Sequence, residues 1–294
     1  MSENSALKAH REGGKYIRIG DVNVFYRCAG PKNGIPLVLT HGIPRCSFLY
    51  RKMIPILARE HPVRAWDLVG FGLSDKPDDN RYNFPNFEVL FGKFLDALGI
   101  ERAHLICHDV GGPFTIGWAV HNPGRVATLT IMNTTIFWEH FHIPGPVLLS
   151  ILTPMAIHRR MSGEFAAKQL IRYIRTTVHK NPDAMTPEEE EAYFQLFTRK
   201  NGFISLVKTL KSYRVVTPYL FEARRALMTF PRPTLILWGR HDPFCKIPIA
   251  RSFRRTAPHA EIDVIDSAGH FLQEDAPEET AHSILDFIAR KGEN

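Results

Sequence analysis

Leu105-Ile106-Cys107-His108-Asp109-Val110-Gly111-Gly112 is the stretch on which the reading of the fold turns. A strand over Ala103 to Cys107 runs into a helix over Pro113 to His121 through a tight turn. Small residues stand two before and two after the central position, at Cys107 and Gly111. This is the spacing of a nucleophile elbow, usually written G-x-S-x-G, with Cys in the first small position. The turn is sharp and lifts one side chain above the sheet edge. Here that side chain is a carboxylate, Asp109, where serine is usual.

The exchange changes the chemistry. A serine must first lose a proton, whereas a carboxylate is already ionised at neutral pH. It can attack an electrophilic sp3 carbon and remain as an ester of the enzyme. On an acyl substrate it would form a mixed anhydride, so Asp109 argues against a peptidase or lipase and for alkyl transfer. Cleaving the ester then requires a base and donors for an oxyanion. His270, in Asp266-Ser267-Ala268-Gly269-His270-Phe271, lies just past the last strand. Asp242, in Trp238-Gly239-Arg240-His241-Asp242-Pro243, follows the preceding strand and is placed to accept the other ring N–H. The order nucleophile, acid, histidine agrees with an elbow on this kind of sheet. The backbone N–H groups of Ile43 and Val110 are the expected oxyanion donors.

Outward from the elbow, strand and helix signals alternate. A hairpin spans Tyr16 to Ile19 and Val22 to Arg27 across Gly20-Asp21. Strand runs follow at Leu37 to Thr40 and Val63 to Leu68, with a helix expected from about Ser47 to Arg59 between them. A further helix is expected over Asn86 to Leu98 and a strand over Val126 to Met132. Alternation of this kind implies a mostly parallel central sheet with helices on both faces. It stops at Phe137 and resumes at Thr234 to Trp238, Glu261 to Ile265 and a last helix over Glu278 to Arg290. The intervening stretch is helical and too long for a loop. The chain therefore reads as an α/β core of residues 1–136 and 231–294 with a helical cap, residues 137–230, inserted in it. Thr186-Pro187 followed by Glu188 to Glu191 marks a helix start inside that insertion.

Taken together, His41-Gly42-x-Pro44, Asp67-Leu68-Val69-Gly70-Phe71-Gly72-x-Ser74-Asp75-Lys76-Pro77, His108-Asp109-x-Gly111 and Gly269-His270-Phe271-Leu272-Gln273-Glu274-Asp275-Ala276-Pro277 resemble the α/β-hydrolase superfamily. Within it they resemble the aspartate-nucleophile branch of epoxide hydrolases and haloalkane dehalogenases. The resemblance spans about residues 16 to 290 and is weakest in the cap. It implies a cofactor-free hydrolase with Asp109, Asp242 and His270 as triad. Dehalogenases of that branch usually hold the leaving halide between a Trp after the nucleophile and an Asn or second Trp. Val110 and Ile43 stand at two of those places, and neither side chain can donate. Epoxide hydrolases of the branch protonate the opening ring with cap tyrosines, one of which commonly precedes an Arg, as Tyr213 precedes Arg214 here. Fluoroacetate dehalogenases carry a similar pair. Tyr173 and Tyr193 are candidates for a second tyrosine. Tyr213, Trp138 and His108 are the candidate substrate contacts, although His108 is read first as structural, near the elbow. Asn133 ends a strand where some members carry the acid, and as an amide it cannot serve as one. Epoxide opening is thus ranked first, ahead of dehalogenation with halide donors from the cap (Trp138 or Tyr213) and of a non-catalytic ligand-binding role. A β-lactone or similar strained ring stays open.

Composition bounds what else the chain can be. Of 294 residues, 44% are hydrophobic and 23% charged, which excludes a disordered or coiled-coil chain. The formal charge of +7 raises a nucleic-acid partner. The basic residues are scattered among acidic ones with no recognition motif, so no nucleic acid is expected. Gly70-Phe71-Gly72 lacks the third glycine of a dinucleotide fingerprint. Four cysteines without C-x-x-C spacing give no disulfide or zinc framework. His140-Phe141-His142 is read as lining or covering the cap, not as a metal site. The first fifteen residues are polar and no apolar run is long enough to span a bilayer. The expectation is a cytoplasmic monomer or homodimer, without metal, cofactor or stable membrane insertion, acting on a small apolar electrophile.

Overall fold

The structure, a computed structural model, describes residues 4–137, 145–161, 163–213 and 216–292. Among them eight strands form one sheet: β1 (Gly14–Ile19), β2 (Val22–Ala29), β3 (Leu37–Thr40), β4 (Val63–Trp66), β5 (Ala103–His108), β6 (Val126–Met132), β7 (Thr234–Gly239) and β8 (Glu261–Ile265). Their spatial order is β1-β2-β4-β3-β5-β6-β7-β8. The β1/β2 and β2/β4 pairs are antiparallel and the rest are parallel. Strands β3, β5, β6 and β7 are buried along their whole length, which is why apolar residues dominate them, without alternating charged side chains.

Side-chain alternation sorts these strands into two cores. Val38, Leu105, Cys107 and Ile236 face one hydrophobic cluster, while Leu39, Ile106 and Leu237 face the other. The first cluster is covered mainly by α3 (Phe84–Ala97), α4 (Gly111–His121) and α11 (Ile247–Thr256). The second is covered by α2 (Ile54–Leu57), α12 (Leu272–Asp275) and α13 (Pro277–Lys291). Between β6 and β7 the chain forms α5 (Gly145–Leu152), α6 (Met155–Met161), α7 (Glu164–Tyr173), α8 (Pro187–Thr198), α9 (Gly202–Ser212) and α10 (Thr217–Leu227). The inserted segment shares both clusters, through Ile171 and Leu206 on one side and, on the other, Ile174 and Val178 of a π-helical turn that follows α7. The start of α8 is a complete capping box: Glu189 N–H donates to Thr186 Oγ1 and Thr186 N–H donates to Glu189.

One local expectation needs correction. The helix expected from Ser47 to Arg59 is a single 3-10 turn, Ser47–Tyr50, followed by the short α2. Buried Asp67 accepts the Ser47 N–H at 2.6 Å, and Pro55 has no N–H with which to continue a longer helix. The polar N-terminus forms α1 (Ser5–Glu12), capped by the Asn4 side chain on Leu7 N–H at 3.1 Å. Its buried face consists of Leu7 and His10, and the His10 ring packs on Phe25 and Phe48. One leucine and one histidine are too weak an apolar stripe to be read beforehand. No helix among the described residues is long and apolar enough to cross a membrane.

The strand order fixes where a ligand can sit. From β3 the chain crosses to β4 on one side and then to β5 on the other. The C-terminal ends of β3 and β5 therefore open a crevice at the reversal point, where open α/β sheets bind ligands. His41 to Pro44 and Asp109 follow those two ends.

Candidate active site

The turn after β5 demands small neighbours. Asp109 has φ +50°, a left-handed conformation that costs a non-glycine residue about 1–2 kcal/mol. Its carbonyl is held by Gly112 N–H at 2.8 Å and by the Thr134 hydroxyl at 2.6 Å. A Cβ on Gly42 would strike the Asp109 carboxylate, and one on Gly112 would strike the Thr134 side chain. A Cβ on Gly111 would lie 2.5 Å from the His41 carbonyl oxygen. The glycines of the motif are thus the clearance that lets β5, β3 and β6 deliver their loops to one point.

At that point Asp109 Oδ2 accepts the Ile43 N–H at 2.8 Å, and the Val110 N–H also bonds the carboxylate. Oδ1 faces His270, whose Nε2 lies 3.9 Å away, too far for a direct hydrogen bond. His270 Nδ1 is 2.8 Å from Asp242 Oδ2. An ionised carboxylate only accepts, so Nδ1 carries a proton and Nε2 is the ring nitrogen turned toward Asp109. Asp242 is itself fixed: Oδ1 accepts Phe244 N–H at 2.7 Å and Cys245 N–H at 2.9 Å, and Oδ2 accepts the Asn133 amide at 2.5 Å.

The charges follow from these contacts. Burial pushes Asp109 above the usual carboxylate range, against the opposing pull of His270 and the two backbone donors. Burial acts the same way on Asp242, but His270, Asn133 and the Cys245 N–H outweigh it and hold Asp242 below that range. Burial lowers His270, while Asp242 and then Asp109 outweigh it and leave the imidazole more basic than usual. The Cys245 thiol lies near Asp242 and His270. Burial holds it well above its ordinary value and keeps it protonated.

A cavity of about 140 Å³ stands over this floor. Its walls are apolar: Ile151, Leu170, Ile174, Leu206 and Leu210 from the inserted segment, with Phe244 and Phe271 from the core. Tyr173 and Tyr213 are the hydroxyl-bearing residues of the lining. The Tyr213 ring packs edge-on against Phe84 at 5.1 Å. Burial, and then the negative charge of Asp109, keep its hydroxyl protonated far above the usual tyrosine range.

Residues 35–277 match the family model described as the alpha/beta hydrolase fold. It belongs to the α/β-hydrolase fold family. This α/β-hydrolase is 30% identical over 276 residues to a cis-3-alkyl-4-alkyloxetan-2-one decarboxylase of Shewanella oneidensis, covering 87% of this chain and 82% of that one. It is 29% identical to haloalkane dehalogenase 2 of Mycobacterium tuberculosis, covering 86% of this chain and 87% of the relative. Among solved structures, an epoxide hydrolase without ligand superposes with a TM-score of 0.78 at 22% identity, covering 94% of this chain and 98% of that one, a likeness of fold. With these relatives the chain is an enzyme of the hydrolase class.

In this hydrolase the structure brings Asp109, Asp242, His270, Ile43, Val110 and Tyr213 together at one cavity or its immediate support. Of the two further tyrosines, Tyr173 lines the cavity; Tyr193 instead donates its buried hydroxyl to Glu274 at 2.7 Å. His108 does not line the cavity. Its ring lies behind His270, with Nε2 2.8 Å from the His270 carbonyl oxygen, because alternation along β5 turns it away from the cavity. Trp138, like His140 to His142, lies outside the described residues. Phe137 packs on Phe253 in the core. Asn133, set aside in the sequence as an amide, links β6 to Asp242 and accepts Gly239 N–H at 2.8 Å. Its strand-end position beside the acid loop was the available signal.

Proposed function

We propose that this enzyme opens a strained, apolar oxygen ring, an epoxide, through a covalent ester on Asp109. Asp109 Oδ1 attacks a ring carbon and the C–O bond breaks. The leaving alkoxide takes the proton of the Tyr213 hydroxyl, with Tyr173 donating a hydrogen bond to the same oxygen. His270 then removes a proton from water, and the resulting hydroxide attacks Cγ of Asp109. The tetrahedral oxyanion lies where Oδ2 already is, against the Ile43 and Val110 N–H groups. Collapse breaks the Cγ–Oδ1 bond. The hydroxyl proton left on Cγ passes to the departing alkoxide and the His270 proton returns to the Tyr213 phenolate, which releases a diol and leaves one water oxygen in the Asp109 carboxylate. Asp242 orients the imidazole and balances its positive charge. On this reading the inserted helices form a cap whose function is to exclude bulk water and supply the tyrosines.

One observation carries the proposal: the Asp109 carboxylate has Oδ2 on the Ile43 N–H, the Val110 N–H as a second backbone donor to the group, and Oδ1 facing a histidine, under an apolar cavity bearing two tyrosines. The test is a single turnover of styrene oxide in heavy-oxygen water, followed by the mass of the peptide containing Asp109. Label is expected in that carboxylate; turnover with an unlabelled peptide would sink the ester.

A second reading is favoured by the 30% relative, whose substrate by name is a dialkyl β-lactone. The same floor can attack the ring carbon of such a lactone, and the apolar walls suit alkyl chains. Carbon dioxide release from a cis-dialkyl β-lactone, with no diol formed from styrene oxide, would put this reading first. Halide release from bromoalkanes at a higher kcat/KM than either ring would favour the reaction in the name of the mycobacterial relative instead.

A further inference from the structure

The short helix α12, which follows His270, carries two buried carboxylates that the proposed reaction does not use. Glu274 is a node of ion pairs, 2.5 Å from Arg51 Nη1 and 3.1 Å from Lys52 Nζ, and accepts the Tyr193 hydroxyl. Asp275 faces the other way, and its side chain is fully buried. Its Oδ2 accepts Gly269 N–H at 2.8 Å and Lys180 N–H at 3.0 Å, and its Oδ1 is 3.1 Å from His179 Nδ1. Gly269 directly precedes His270. His179 and Lys180 directly follow Val178, which lines the cavity.

The contact continues beyond His179. Arg45 Nη2 lies 2.9 Å from His179 Nε2, and the guanidinium covers the Tyr193 and Phe271 rings at 3.9 and 4.6 Å from their centroids. A guanidinium can only donate, so Nε2 offers its lone pair and Nδ1 donates to Asp275. Arg45 is two residues past the oxyanion donor Ile43. One chain of contacts, Arg45 to His179 to Asp275 to Gly269, therefore joins the oxyanion loop, the inserted segment and the loop of the base.

We propose that Asp275 is a positioning residue for His270, fixing the backbone from which the imidazole reaches the water. The proposal rests on the reading above, in which His270 activates that water. Asp242 fixes the rotation of the ring but not the place of its main chain. The main chain is pinned on both sides of the ring: Asp275 holds the N–H of Gly269, and His108 Nε2 lies against the carbonyl of His270. Attack by Asp109 does not need the imidazole, whereas breakdown of the ester does. A loosened base loop should therefore slow the second step and spare the first. If Asp275 only tied the inserted helices to the core, its loss would disturb the cavity and slow both steps.

The experiment uses Asp275→Asn in the full chain, with His179→Phe as a second variant that keeps a ring beside Phe271 and removes both nitrogen contacts. Formation and breakdown of the Asp109 adduct with styrene oxide are followed by rapid quench and intact mass. In substrate-free protein, the downfield NMR resonance of the His270–Asp242 hydrogen bond is recorded. The expected result for Asp275→Asn is breakdown slowed about tenfold to hundredfold, formation within about twofold, and a shifted or broadened resonance. His179→Phe should move in the same direction by less, because the Gly269 contact remains. Folded variants with native breakdown and a native resonance, or with both steps slowed alike, would overturn the proposal. If Asp275→Asn does not fold, the same outcomes in His179→Phe decide it. If the native enzyme forms no adduct on Asp109, the reaction reading fails and the resonance alone still decides the role of Asp275.

Discussion

The floor of the cavity comes from the ends of β3, β5 and β7 and the loop after β8, and its walls come largely from α5, α7 and α9. At the floor, backbone N–H groups, an amide and an imidazole converge on two carboxylates, and each polar group is aimed by a partner. On the walls, aliphatic side chains surround two phenols. Rigid sheet ends can hold reacting atoms to fractions of an ångström, while helices laid over them can vary in what they admit. Reaction type therefore belongs to the floor and substrate choice to the walls.

Asp109→Ala is the most severe way to break that division. Turnover of every substrate should fall by about 10⁴-fold or more, with no adduct detected by intact mass. A floor variant that lost one substrate and kept another would contradict the division. His270→Gln should leave ester formation nearly intact and slow its breakdown by about 10³- to 10⁴-fold, so the adduct accumulates and can be weighed. Tyr213→Phe tests the walls. It should lower kcat/KM for epoxides by about 10²-fold, while substrates whose leaving group needs no proton lose little. An equal loss on both would assign Tyr213 to packing.

The two steps should also separate by pH. His270 is more basic than an ordinary imidazole and must be neutral to accept a proton from water. Breakdown therefore declines as pH falls through a midpoint above about 6.5 and is at its plateau above it. Asp109 must be ionised for formation and is raised only from the carboxylate range, so formation persists to lower pH. The native adduct should build up on the acid side, as read by quenched intact mass at a series of pH values. The smallest effect expected is that of Asn133→Leu. It removes the amide that bridges Asp242 and Gly239, and should cost about 1–3 kcal/mol of stability by denaturant titration. It should also slow ester breakdown modestly, with no change in substrate order.

How far each region could be read in advance follows the same line. The elbow is local: eight consecutive residues state a strand, a bend and a helix, and the clashes at Gly111 and Gly112 show why no larger residue fits. Asp242 and His270 were legible because each closes a strand of a parallel sheet. The β1 and β2 hairpin was legible from Gly20, whose φ of +60° suits a tight turn. What escaped reading depended on remote partners. His108 could be assigned only once the His270 carbonyl stood 2.8 Å away, across 162 positions of sequence. Tyr173 and Tyr193 look alike in sequence, and only the packing of α7 and α8 sends one to the cavity and the other to Glu274.

By itself the sequence determined the α/β architecture, the carboxylate at the bend and the order of its partners, because strand periodicity, turn sterics and ionisation act over a few neighbouring residues. Only the tertiary structure decided which tyrosines line the cavity, that Asn133 braces Asp242, and that Asp275 holds the His270 loop to the inserted segment. Those outcomes depend on which distant groups are buried together, where an unpaired polar atom costs about 1–3 kcal/mol and each partner must be supplied from another part of the chain.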